Sequence, residues 1–123
     1  LVAEIDKVRP PYNVSVLNCE AALFALEHAD VFAAQAAELR AQRTVLIDAL
    51  RAMPGIAKVW DSEANMVLVR VADAGKTYEG MKTRKVLIKN VSTMHPLLHN
   101  CLRLTVGNAQ DNATMLAALQ ASL

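Results

Sequence analysis

The hydrophobic pattern first follows a helical period and then changes to a strand period. Between residues 30 and 53 one stripe of apolar side chains repeats every seven positions, with further members between, at Phe32, Ala36, Leu39, Leu46, Ile47, Leu50 and Met53. This spacing predicts a single helix of about 33 Å at ~1.5 Å per residue. Asp30 is the predicted N-cap, and Pro54 with Gly55 ends the helix. A helix of this length often bridges two domains.

Alternating patterns begin after Gly55. Strands are predicted at 56–60, 65–71, 86–91 and 101–106, a weak helix containing Gly80 at 76–85, and a loop at 92–100. A last helix is predicted from a cap at Asn108 to about Ser122. The predicted fold class is therefore α+β, with a long bridging helix and a mainly antiparallel sheet covered by helices.

The first 29 residues fit such a small domain poorly. "RPPYN", residues 9–13, predicts a stiff extended connector, because proline excludes a regular helix or a central strand. The helix predicted over residues 15–28 is apolar nearly all round, and such a helix is normally buried on several sides. The chain also lacks an initiator methionine. We therefore expect residues 1–29 to belong to a missing larger domain, and residues 30–123 to form a small C-terminal domain.

Composition narrows the class of protein. Hydrophobic residues make up 54% of the 123 positions and aromatic residues 4%, and the net charge is +1. So small a charge argues against a dedicated nucleic-acid binder, and no apolar run reaches the roughly 18 to 20 residues that span a bilayer. There is no signal-peptide pattern. Cys19 and Cys101 form no metal or redox motif, so a cytoplasmic location is expected.

The strongest local chemistry is anion binding. Residues 76–89 hold five cations against one anion, a balance of +4, carried by Lys76, Lys82, Arg84, Lys85, Lys89 and Glu79. Most such clusters are solvated helix faces, but Lys89 ends a predicted strand just before a loop, where its amine suits phosphate. Arg103 lies in the predicted strand "CLRLTVG". It is either a solvated surface residue or a residue that binds an anion. A freestanding module that binds anions or nucleic acid is the alternative, although Tyr78 is the one aromatic residue in this segment for base stacking.

Other chemistries find little support. His95 and His99 have a spacing that metal sites use on helices, but Pro96 undercuts a helix there, so two loop histidines are expected. No nucleophile elbow and no phosphate-binding glycine pattern occurs in the sequence. No catalytic residue is therefore assigned.

Several motifs in combination resemble a known family. "KVRPPYNVS", an apolar helix, "EANMVLVRV", "RKVLIKNV" and "CLRLTVG" follow one another from Lys7 to the C-terminus. In this order they resemble the C-terminal part of the histidinol-phosphate aminotransferases, which are pyridoxal-phosphate-dependent enzymes of fold type I. Family members are about three times as long. The resemblance implies that the apolar helix packs on a large domain outside this chain.

The resemblance also implies roles for two residues. Arg103 falls at the arginine that grips the substrate α-carboxylate. Lys89 falls where many members have an arginine that grips the substrate phosphate, with one extra residue in the loop between them. "NVSTMHPLL" would be a mobile segment between the two grips at the substrate's ends.

For the full-length enzyme, the resemblance implies pyridoxal 5'-phosphate as cofactor, a place in histidine biosynthesis, and a homodimer. Its substrates would be a phosphorylated amino alcohol or amino acid and a 2-oxo acid acceptor, with neither nucleic acid nor membrane as partner. No lysine here matches the cofactor-lysine motif, so this chain alone is expected to bind no cofactor and to be inactive. The sequence is also compatible with an aromatic aminotransferase, a threonine-phosphate decarboxylase or a purely structural interaction domain.

Overall fold

Helices lie at both ends of the chain, and a sheet occupies its second half. The computed structural model describes residues 1–9 and 14–123. Within these ranges the helices are α1 (Val2–Val8), α2 (Val16–Glu27), α3 (Ala29–Ala52), α4 (Ala74–Thr83) and α5 (Ala109–Gln120). The strands are β1 (Ile56–Val59), β2 (Met66–Val71), β3 (Lys89–Asn90) and β4 (Cys101–Thr105), and a 3-10 turn spans Pro96–Leu98. The chain divides into two units, residues 1–35 and 36–123.

The second unit is built on a four-stranded sheet in the order β1-β2-β4-β3, with each neighbouring pair antiparallel. Val67 and Val69 of β2 pair with Leu104 and Leu102 of β4, and all four side chains are buried. Helices add to this core the side chains of Leu46, Ile47, Leu50, Met81, Met115 and Leu119. The α+β fold class is therefore confirmed.

Helix boundaries follow local hydrogen bonds. Asp73 caps α4 by accepting the N–H of Lys76 at 2.9 Å, and Asn108 caps α5 by accepting the N–H of Asp111 at 2.9 Å. The predicted Asn108 cap is thus confirmed. The predicted Asp30 cap is wrong, because α3 begins at Ala29 and places Asp30 inside its first turn.

The third strand is shorter than predicted. Only Lys89 and Asn90 of the expected strand 86–91 belong to β3. The apolar residues before them, Val86 and Ile88, pack against the core without pairing to a neighbouring strand. Lys85 has a φ of 63° and so turns the chain sharply after α4. The alternating pattern here reflects one buried side of an irregular segment.

The first unit contains no buried side chain among its described residues. Helix α2 exposes Leu17 at 80% and Leu26 at 73%, so the surface predicted to need burial is uncovered within this chain. The expected cover by a large domain, and the domain boundary at residue 30, stay predictions. Most of the predicted "RPPYN" connector lies outside the described residues. No helix in the described part of the chain is both long and apolar enough to cross a membrane.

Candidate functional site

The two predicted anion-binding residues lie directly opposite each other in the sheet. Antiparallel pairing of β3 with β4 sets Lys89 against Arg103, and pairing of β2 with β4 sets Leu68 against Arg103. Since side chains alternate along a strand, these residues project from the face opposite the core, which we call the open face. Both cationic side chains are exposed to solvent.

This arrangement places two like charges side by side. Residues directly opposite in an antiparallel pair have Cβ atoms about 4.5–5.5 Å apart, and like charges there are destabilising. Neither Lys89 nor Arg103 takes part in an ion pair among the described residues. An anion placed between the ammonium and guanidinium groups would relieve the repulsion. The pair therefore fits a phosphate or a carboxylate.

A cavity of about 520 Å³ opens beside Lys89 at the edge of the sheet. Tyr78 and Glu79 of α4 and Thr93 of the following loop contribute to its wall. Glu79 also forms an ion pair with Lys82 at 3.5 Å between Nζ and Oε2. Arg103 is not part of the lining. Lys89 thus lines the cavity and also lies on the open face, where it is the neighbour of Arg103.

The basic segment 76–89 does not form one patch. The Arg84 guanidinium donates to the Gly80 carbonyl at 2.9 Å and to the Ser122 hydroxyl at 3.4 Å, which ties it to the end of α5. Lys82 is paired with Glu79. Of the five cations in this segment, Lys89 is the one that the strand register pairs with Arg103.

The loop 91–100 between β3 and β4 is held by many hydrogen bonds. His95 Nδ1 accepts the N–H of Leu97 at 3.2 Å, and the His99 carbonyl accepts from Arg70 Nε at 3.1 Å. Both predicted loop histidines therefore have structural contacts. Within the described ranges no group of three or more His, Cys, Asp or Glu side chains could hold a metal ion. The mobility predicted for this loop stays a prediction.

Arg70 is the residue of this region that the sequence patterns did not single out. It lies on the open face and bonds to the loop that joins the two predicted grips. Its partners are main-chain carbonyls, which leave no signature in a sequence. The alternation in "MVLVRV" places Arg70 on the other face of the strand from the buried valines. This alternation is the sequence signal that could have put Arg70 on the open face.

No lysine in this chain suits covalent attachment of pyridoxal phosphate. All six lysine side chains are exposed: Lys7, Lys58, Lys76, Lys82, Lys85 and Lys89. A Schiff-base lysine is activated by desolvation in a pocket or by a neighbouring cation. Lys89 has such a neighbour, but it lies at an open edge. None of these lysines therefore has the surroundings of a Schiff-base lysine in the structure described.

Comparison with known proteins gives one consistent result. Residues 1–121 match the family model for aminotransferase class I and II. A histidinol-phosphate aminotransferase of Acidovorax sp. (strain JS42) is 81% identical over all 123 residues, which cover 33% of that relative. The chain thus spans about a third of the length of the curated relatives it matches.

Solved structures share the fold. The histidinol-phosphate aminotransferase from Clostridium acetobutylicum has a TM-score of 0.83 at 22% identity, over 96% of this chain and 36% of that one. The L-threonine-O-3-phosphate decarboxylase from Porphyromonas gingivalis has a TM-score of 0.73 at 25% identity, over 87% and 34% of the two chains.

Proposed function

The chain belongs to the class I and II aminotransferases, and we propose that it is the substrate-gripping C-terminal part of a pyridoxal-phosphate-dependent histidinol-phosphate aminotransferase of histidine biosynthesis. The observation that carries this proposal is the cross-strand pair of Lys89 and Arg103 on the open face. The 81% identity to a histidinol-phosphate aminotransferase supports the choice of substrate.

The register changes how the two grips would work together. Residues paired directly across two strands reach the same small volume, so Lys89 and Arg103 would hold one anionic group and not the two ends of a substrate. Histidinol phosphate carries its phosphate on the carbon that replaces the carboxylate carbon of an amino acid. Both cations would therefore hold the phosphate of the amino alcohol, and in the other half-reaction the carboxylate of the amino-acid partner would be held mainly by Arg103.

The two cations differ in what they offer. Arg103 presents a planar guanidinium that donates two parallel hydrogen bonds to a carboxylate or phosphate. Lys89 adds a point charge, which favours the more highly charged phosphate. Fixing the anionic end of the substrate orients its amino group and reduces the entropy cost of the reactive geometry.

Pyridoxal 5'-phosphate would supply the electron sink for the transfer of the amino group. No lysine of this chain has the surroundings that its covalent attachment requires. We propose that the cofactor and its lysine belong to the remainder of the enzyme, and that this chain alone is inactive. The same remainder would cover the apolar surface of α2. We further propose a cytoplasmic homodimer for the complete protein.

The threonine-phosphate decarboxylase alternative draws on the fold shared with the Porphyromonas gingivalis enzyme. Its substrate also carries a phosphate, so Lys89 alone does not distinguish the two. Assays of the complete protein with histidinol phosphate, threonine phosphate and an aromatic amino acid would distinguish these enzymes. Turnover of histidinol phosphate with a 2-oxo acid acceptor supports the proposal, whereas release of carbon dioxide from threonine phosphate would replace it.

The roles of the two cations are tested in the complete protein by alanine substitution. Arg103→Ala should cost about 3–5 kcal/mol in kcat/KM with every substrate, because the bound anion loses the two charge-assisted hydrogen bonds of the guanidinium. Lys89→Ala should lower kcat/KM for phosphorylated substrates about 10-fold and leave other substrates within about 2-fold, as expected for one lost charge-assisted hydrogen bond.

Lys76→Ala is the matched control, since it removes an exposed lysine from the same basic segment that neither lines the cavity nor lies in the sheet. It should leave all substrates unchanged. An equal loss on phosphorylated and plain substrates in Lys89→Ala would remove that residue from the phosphate site.

A further inference from the structure

Arg70 lies one strand away from the candidate site, on the same face of the sheet. In the pairing of β2 with β4, Leu68 lies opposite Arg103 and Arg70 lies opposite Cys101. Because side chains two positions apart share a face, Arg70 projects from the open face together with Arg103. Its guanidinium carbon is 5.2 Å from the centre of the Trp60 ring, a distance at which a cation–π contact fixes its orientation.

The guanidinium makes two hydrogen bonds to the main chain of the β3–β4 loop. Its Nε donates to the His99 carbonyl at 3.1 Å, and its Nη2 donates to the Leu97 carbonyl at 2.7 Å. None of the ion pairs formed by the described residues includes Arg70. A planar fork suits two carbonyls two residues apart, and a lysine could not reproduce it.

This anchor acts on the part of the sheet that holds Lys89. Strand β3 has two paired residues, Lys89 with Arg103 and Asn90 with Leu102, followed by one hydrogen bond from the Val91 N–H to the Cys101 carbonyl at 3.2 Å. So short a strand gains little from its own pairing. Asn90 Nδ2 also donates to the Ala74 carbonyl at 3.5 Å, and Ser92 Oγ donates to the Cys101 carbonyl at 3.3 Å. Beyond these bonds, the position of β3 depends on how firmly the loop is closed, because an unanchored loop samples many conformations.

We propose that Arg70 is a positioning residue: it fixes the β3–β4 loop and so holds Lys89 opposite Arg103, where both cations meet the anionic group of the substrate. This inference rests on the proposed function for its catalytic consequence. Its structural part, the anchoring of the loop, stands on the hydrogen bonds alone.

The test compares Arg70→Met with Lys58→Met in the complete protein. Lys58 is the matched control, because it pairs with Arg70 across β1 and β2 and places its Nζ 4.8 Å from the same Trp60 ring. Both substitutions remove one cation from the open face and keep the aliphatic stem. Among the hydrogen bonds of the described residues, those to the Leu97 and His99 carbonyls come from Arg70 and not from Lys58.

Two readouts separate positioning from general stability. Amide hydrogen exchange at Val91, Leu98 and His99 should become about 10-fold faster in Arg70→Met and stay unchanged in Lys58→Met. KM for histidinol phosphate should rise about 10-fold in Arg70→Met with kcat within about 3-fold, since misplacing a grip weakens binding first. Unchanged exchange, or equal kinetic losses in both variants, would overturn the proposal.

A double variant tests whether the effect passes through Lys89. If Arg70 acts by placing that lysine, Arg70→Met should add less than about 2-fold to the loss already caused by Lys89→Ala. Losses that multiply would overturn the positioning role. Failure of the proposed function would appear elsewhere, as a Lys89→Ala variant without preference for phosphorylated substrates. In that case amide hydrogen exchange in the β3–β4 loop would still test whether Arg70 anchors the loop. Faster exchange in Arg70→Met supports the anchor, and unchanged exchange refutes it.

Discussion

Residues 1–35 and residues 36–123 are both rich in apolar side chains, yet within the described residues only the second unit buries them. Leu46 and Leu50 of α3 are 0% exposed, whereas Leu17 and Leu26 of α2 are 80% and 73% exposed. The physical difference is the arrangement of the apolar positions. The lower half of α3 carries them on one side, which a sheet covers. In α2 they point in all directions, and no single neighbour could bury them.

This contrast separates two kinds of information in a sequence. A one-sided stripe predicts both that a helix is buried and which side faces the core. An all-round apolar helix predicts burial and leaves its partner undefined. An exposed apolar surface of this kind normally marks an interaction site. In our proposal the remainder of the enzyme supplies the cover, in keeping with relatives about three times as long.

The largest expected difference between the units comes from the same substitution made in each. In the 123-residue chain, Leu50→Ala should lower the free energy of unfolding by about 2–5 kcal/mol, because it opens a cavity in a filled core. Leu26→Ala should change it by less than about 0.5 kcal/mol, since a side chain that is mostly solvated loses little. Urea unfolding followed by circular dichroism measures both values.

The complete protein provides the sharper version of this comparison. If α2 is covered there, Leu26→Ala should become as costly as a core substitution while Leu50→Ala keeps its cost. A Leu26→Ala variant that remains neutral in the complete protein would show that α2 stays exposed, and the proposed cover by a large domain would be wrong.

The same distinction explains how much of the fold could be predicted. The strong alternation in "MVLVRV" and "CLRLTV" gave β2 and β4 within a residue of their observed ends, because both central strands bury one whole face. The segment 86–91 alternates too, but Val86 and Ile88 pack against the core outside the sheet. Alternation reports burial on one side. Whether a segment also pairs depends on its neighbours in space.

The candidate site shows a similar limit. Lys89 and Arg103 could each be found from strand patterns, since both interrupt an apolar strand with a cation. Their direct pairing could not, because the register depends on the path of the ten-residue loop 91–100 between β3 and β4. Arg70 could not be assigned either, as its partners are the carbonyls of Leu97 and His99. Neither carbonyl depends on the residue type that carries it.

A second prediction concerns how tightly the folded unit is packed. Gly80 in α4 lowers helix propensity, and Gly→Ala in a helix normally stabilises by about 1 kcal/mol. A Cβ at this position would lie 2.9 Å from the Cβ and Oγ of Ser122. Gly80→Ala should therefore destabilise the 123-residue chain by about 1–3 kcal/mol, as other overpacked cores do. The urea midpoint gives the sign directly.

The matched enlargement in the first unit is Ala22→Leu, which adds three carbons to an exposed position of α2. It should change stability by less than about 0.5 kcal/mol. In a Ser122→Gly background the Gly80→Ala cost should largely disappear, because the two atoms at 2.9 Å are gone and the Ser122 Cα at 3.5 Å is in ordinary contact. A stabilising effect of Gly80→Ala in the unmodified chain would show that α4 and the end of α5 are looser than the structure indicates.

The smallest expected effect tests whether the two units unfold as one. Ser15 caps α2 by accepting the N–H of Asn18 at 3.2 Å, and Asn108 caps α5 in the same way. Replacing such a cap by alanine costs about 1 kcal/mol of helix stability. Helix α5 contributes Met115 and Leu119 to the core, so Asn108→Ala should shift the urea midpoint.

Helix α2 buries nothing among the described residues, so Ser15→Ala should reduce the helical signal before the main transition and leave the midpoint in place. Equal midpoint shifts would mean that α2 unfolds together with the core despite its exposure, and the contrast between the two units would then concern surface area and not cooperativity.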